Sequence, residues 1–163
     1  MARNVVRTPD VPPAPAASSQ AVTSGTDDSR AQASIDVLIA RFFSAFDNRN
    51  GARPSLSDVT DCFTDKATIV CRTSTSAGLY TVEEFATPRI ELLCQGGLLQ
   101  FHEWEVNSAT QIFSGIAART SRYCKSGLLN GNDYSGSGTK CFHLVNLGFA
   151  WRIAALAWVD DNS

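Results

Sequence analysis

The segment LQFHEWEVNSATQIFSGIAARTSRYCKSG, Leu99 to Gly127, alternates apolar and polar residues on either side of a mostly polar run at Asn107, Ser108, Ala109 and Thr110. A period of two marks a strand with one face buried. A polar run between two such arms is a turn, so the segment predicts one long antiparallel hairpin. A lone hairpin is barely stable in water and needs a second layer over its apolar face.

The flanking sequence supplies that layer. Downstream, Gly127–Gly138 (GLLNGNDYSGSG) predicts an exposed Gly/Asn/Ser-rich connection. Two more strands, about Lys140–Leu147 and Trp151–Asp160, are joined by a tight turn at Gly148–Ala150. Upstream, Ile35, Leu38, Ile39, Phe42 and Phe46 recur at helical spacing. Pro54 and Ser55 open a short second helix, with Leu56, Val59 and Phe63 inward. Ala67–Cys71 and Leu79–Tyr80 read as short strands. Thr81 with Glu84 forms a capping-box signature for a third helix, which Pro88 should kink or split and Gln95–Gly97 should end. Met1 to Arg30 holds four of the six prolines and predicts a disordered tail, leaving 31–163 as the domain. Three helices and a run of antiparallel strands make an α+β fold, with the helices on one face of the sheet.

Composition narrows the function. The 163 residues are 44% hydrophobic, enough for one core, and a net charge of −2 gives no electrostatic pull towards nucleic acid. Apolar runs are too short for a membrane span, and the early prolines break any signal-peptide core. The five cysteines, Cys62, Cys71, Cys94, Cys124 and Cys141, have neither disulfide-framework nor zinc spacing, so reduced thiols in the cytoplasm are expected. No metal and no cofactor is expected.

With the turn at Asn107–Thr110, Trp104 lies opposite Phe113 and His102 opposite Gly115. Tyr123 then falls beside Phe142, and Leu144 beside Ile153. One face holds His102, Trp104, Phe113, Ala117, Arg119, Ser121, Tyr123, Phe142, Leu144, Asn146, Trp151 and Ile153, and is expected under the helices. The other holds Glu103, Glu105, Ile112, Ile116, Arg122, His143, Val145, Arg152, Leu156 and Trp158, and suits a sheet-to-sheet homodimer. A one-residue slip exchanges the two sets.

The segments RFFSAFDNRNG, EFATPRIELL, FHEWEV, IFSGIAARTSRYCKSG and WRIAALAWVDD resemble the nuclear transport factor 2-like (SnoaL-like) superfamily, in particular its small bacterial members of unassigned function. The resemblance covers about Ser34 to Asn162. It implies a cystatin-like cone, a curved antiparallel sheet around three helices, with a pocket at the open end and often a dimer across the outer face. The superfamily spans isomerases, dehydratases, hydrolases, polyketide cyclases and plain binding modules, so the resemblance selects no reaction. The ketosteroid isomerase pair of a first-helix tyrosine and a first-strand aspartate has no counterpart, because Phe42, Phe43, Phe46 and Cys71 stand there.

Three functions follow as expectations. The first is a small-molecule pocket of mostly apolar character, lined by Trp104, Phe113, Ser121, Asn146, Trp151, Phe42 and Phe46, with Arg119 for an anionic group. The second is a cofactor-independent dehydratase, isomerase or cyclase with His102 as base, Tyr123 as donor and Asp47 orienting the histidine. The third is an interaction module acting through the outer sheet face. His102 with Glu103 and Glu105 does not make a metal site, since a strand points His102 away from both acids.

Overall fold

The computed structural model describes residues 24–161. Helix α1 spans Ser24–Ser44, so Ser24–Arg30, assigned to the tail by composition, forms its first turns; the rest of that segment lies outside the described residues. Ile35, Leu38, Ile39, Phe42 and Phe46 are all buried, as their spacing predicts. A short 3-10 turn at Arg49–Gly51 leads to α2 (Leu56–Thr60), whose first turn is capped by Ser55 Oγ. Helix α3 (Val82–Cys94) starts at the predicted capping box: Thr81 N donates to Glu84 Oε2 at 2.8 Å, and Glu84 N to Thr81 Oγ1 at 3.2 Å. It runs on through Pro88, where the missing N–H forfeits one helical bond without dividing the helix.

Six strands form one open, curved sheet in the order β2-β1-β6-β5-β4-β3. They are β1 Phe63–Arg72, β2 Ala77–Tyr80, β3 Leu98–Phe113, β4 Ile116–Leu129, β5 Asn132–Asn146 and β6 Trp151–Asp160. All neighbours run antiparallel except β1 and β6, which pair in parallel. The core lies between α1 and the concave face, where Phe42 meets Phe63 and Phe142 edge-on at 5.8 and 5.5 Å. Among the described residues no helix is long and apolar enough to cross a membrane.

The hairpin register differs from the expected one. The β3–β4 turn lies at Ser114–Gly115, with Ser114 at φ 58°, not at Asn107–Thr110. The polar run belongs to β3, which is an edge strand with solvent on its free side. The expected connection Gly127–Gly138 instead contains the end of β4, an Asn130–Gly131 turn with both residues at positive φ, and the start of β5. Trp104 therefore pairs with Cys124, Tyr123 with Gly138 and Glu105, and Phe142 with Arg119; Leu144 does pair with Ile153.

Irregularities in β3 and β6 complete the change. Register shifts flank Gln100 (φ 50°) and Val106 in β3, and a third falls beside Leu144 where β5 meets β6. Ala117, Arg119, Ser121, Tyr123, Phe142, Leu144, Trp151 and Ile153 are buried on the concave side as expected. Glu103, Glu105, Ile112, Leu156 and Trp158, expected outside, also face inward, whereas His102, Trp104 and Phe113 face outward.

Candidate functional site

A cavity of about 330 Å³ opens between α3 and the concave face of the sheet. Phe46, Phe85, Phe101, Tyr134 and Trp158 give it aromatic walls, with Leu92, Leu93 and Leu98 between them. Charged and polar groups reach it from five elements: Arg89 from α3, Glu103 from β3, Tyr123 and Lys125 from β4, Lys140 from β5 and Asp160 from β6. Cys71 of β1 completes the wall, and burial pushes its thiol pKa up.

Two ionic groups organise the interior. Lys140 Nζ donates to Glu103 Oε1 at 2.6 Å and sits 3.5 Å from the centre of the Tyr123 ring. Both members of this pair are almost fully removed from solvent. Burial pushes the Lys140 amine pKa down, against the pull of Glu103 and with the help of Lys125. Beside it, Asp160 accepts from Lys125 Nζ at 2.9 and 3.0 Å and from the Tyr123 hydroxyl. Burial alone would raise the Asp160 pKa, but those donors outweigh it and hold the carboxyl below its ordinary value. Lys125 moves up for the same reason, as Asp160 overcomes burial. Burial first, and then Asp160, push the Tyr123 phenol far up, so it is a donor and not a base.

Arg89 stands apart. Its guanidinium lies 4.1 Å from the centre of the Phe85 ring and 5.3 Å from Trp158, and Nη1 donates to the Phe85 carbonyl at 2.6 Å. Among the described residues no carboxylate lies within ion-pair distance of it. Burial lowers its pKa, against the pull of Cys71, Glu103 and Asp160.

Of the side chains singled out from sequence, Tyr123 and Phe46 line this cavity. His102 does not: it stacks on Trp104 with ring centres 4.5 Å apart on the outer face, and its Nδ1 is buried without a partner. Asp47 is held by Arg49 at 2.6 Å, a hydrogen bond that lowers its pKa, and no triad with His102 and Tyr123 forms. Arg119 is bound by Glu105 at 2.6 Å and Asp36 at 2.7 Å, and donates to Thr110 at 2.9 Å. Ser121 donates to Glu105 at 2.5 Å, so these five groups tie α1 to the sheet instead of facing a ligand. Phe42 is core, Trp151 packs at the opposite end, Asn146 caps its turn through Gly148 N, and Phe113 is exposed at the hairpin tip.

The cavity residues that the sequence does not place in a pocket are mainly the ionic ones: Arg89, Lys125, Lys140, Asp160 and Glu103, the last expected on the outer face. Charged strand residues normally read as solvent-facing. One signal is the Asn130–Gly131 turn, since a two-residue hairpin there sets Lys125 opposite Gly136; the pairing of Glu103 with Lys125 depends on the irregularities of β3. Among the described residues no group of His, Cys, Asp or Glu is arranged to hold a metal ion.

No family model matches this chain, and no curated protein matches it. Solved structures do. Hexachlorocyclohexane dehydrochlorinase LinA-type3 from Novosphingobium barchaimii LL02 superposes with a TM-score of 0.67 at 15% identity, over 85% of this chain and 91% of that one. A nuclear transport factor 2-like superfamily protein from Salmonella enterica serovar Typhimurium gives 0.67 at 10% identity, over 83% and 94%. A protein with a cystatin-like fold from Nostoc punctiforme gives 0.59 at 14%, over 81% and 92%. Likeness at these identities establishes the fold alone.

Proposed function

We propose that this chain, which has the nuclear transport factor 2-like (SnoaL-like) fold, binds a small, partly aromatic anion, of which a carboxylate is the simplest example, in the cavity inside its cone. The observation that carries this reading is the charge pattern around one hollow: Arg89, Lys125 and Lys140 face it with only Glu103 and Asp160 against them. Arg89 is half-buried with no carboxylate at ion-pair distance among the described residues, and an anionic ligand beside it would gain a charge-assisted hydrogen bond. The rings of Phe85 and Trp158 supply the apolar contact. Sequence alone predicts a mostly apolar pocket; the proposed one is aromatic in its walls and ionic at its centre.

Calorimetric titration with benzoate tests the reading. Saturable binding is expected, weakened roughly tenfold to a hundredfold in Arg89→Met, because hydrogen bonds to charged groups contribute about 1.5–3 kcal/mol. Absence of saturable binding to the wild-type chain at millimolar benzoate would remove it.

The outer sheet face is the proposed contact for a second copy, on the observation that Trp104, Phe113 and Ile116 are exposed there at 40%, 57% and 57%. A monomeric mass by light scattering at micromolar concentration counts against that contact.

A further inference from the structure

Lys140 is a buried amine on the wall of a cavity, with a carboxylate in contact to take its proton. Glu103 is within 2.6 Å to exchange its proton, and the Tyr123 ring fixes the ammonium from below at 3.5 Å. The charged and titratable groups around it are Glu103, Tyr123, Lys125, Tyr134, Asp160, Arg89 and Cys71, from every strand and helix that walls the cavity. Lys125 is engaged by both oxygens of Asp160 and is held as a fixed cation. A lysine desolvated beside another cation is the arrangement that frees an amine for attack on carbonyl carbon.

We propose that Lys140 forms an imine with a small aldehyde or ketone that also carries an anionic group, with Glu103 moving the proton and Arg89 holding the anion. This rests on the reading of the cavity as an anion site. The step balances without oxidant or reductant. Glu103 takes a proton from the Lys140 ammonium, and the freed nitrogen pair forms the N–C bond as the carbonyl π pair moves to oxygen. That oxygen takes up a proton from the nitrogen. Glu103 then returns its proton to the hydroxyl, which leaves as water while the nitrogen pair closes the C=N bond. The product is a protonated imine paired with the Glu103 carboxylate.

The chain has three lysines, Lys66, Lys125 and Lys140, so the test is clean. The whole protein is incubated with 4-formylbenzoate and cyanoborohydride at pH 7, and the reduced adduct is located by peptide mass mapping. Labelling of Lys140 is expected to be faster than that of exposed Lys66, since a desolvated lysine beside another cation holds more free amine at pH 7. Lys140→Arg, which keeps the charge but cannot form the imine, should lose that label. Labelling of Lys66 or Lys125 with Lys140 untouched overturns the proposal. Benzoate binding without Lys140 labelling removes the imine and leaves the anion site; Lys140 labelling without benzoate binding supports the amine chemistry and removes the anion site.

Discussion

Lys140 of β5 reaches over β4 to Glu103 of β3, and the 2.6 Å bond between them closes above the Tyr123 ring. Two opposite charges buried together this way stabilise little relative to a packed apolar pair, yet each is indispensable while the other remains. Lys140→Met and Glu103→Leu should each lower unfolding stability by about 3–5 kcal/mol. The double variant should recover most of that loss. Urea denaturation of the four proteins checks it, and additive losses would show that the two groups do not depend on each other.

The Asp160 carboxyl gives the fold an acid limit. An aspartate in the unfolded chain takes its proton near pH ~3.9, whereas Asp160 keeps its charge to lower pH. Between those two points the unfolded state binds the extra proton, so stability falls as pH drops. Asp161, held at about 2 by Arg122 and Ser137, acts in the same direction. Chemical denaturation from about pH 5 to 2 should therefore show a steep loss in the wild-type chain and a shallower one in Asp160→Asn. Equal slopes would mean that the Lys125 and Tyr123 bonds do not hold the carboxylate.

Gly138 is where β5 passes beneath the Tyr123 phenol. A Cβ at this position would overlap the Tyr123 ring and the Val159 carbonyl, and backbone cannot retreat as a flexible side chain would. Gly138→Ala should cost about 1–3 kcal/mol through overpacking, and it should displace Tyr123 from Asp160. Near-ultraviolet circular dichroism reads the ring's environment directly, and an unchanged spectrum with unchanged stability would contradict the close approach.

Much of this architecture is written in local chemistry. The α1 stripe from Ile35 to Phe46, the Thr81–Glu84 capping box and the Leu144–Ile153 pair follow from spacing over a few residues. The site does not, because it depends on register. Irregularities at Gln100 and Val106 each shift β3 by a residue, and a third, where β5 meets β6, turns Leu156 and Trp158 inward. No residue type announces these shifts, and a one-residue slip exchanges the faces of a strand. That is why His102 reads as a pocket residue beside Tyr123 while Glu103, its neighbour, holds the place. The Asn130–Gly131 turn is legible, and it is the local signal that pairs Lys125 with Gly136.

The separation of His102 from the cavity is itself testable. Its ring stacks on Trp104 at 4.5 Å on the convex face, one strand thickness from Glu103. Removing the ring deletes a stacked aromatic contact worth about 0.5–1.5 kcal/mol and nothing that touches the ionic cluster. His102→Ala should thus be modestly less stable, with benzoate affinity unchanged. Tyr123→Phe, by contrast, deletes the hydroxyl that donates to Asp160 and should alter benzoate binding with the ring still in place. A loss of affinity in His102→Ala equal to that in Tyr123→Phe would put the imidazole in the pocket and reverse the assignment of the two faces of β3.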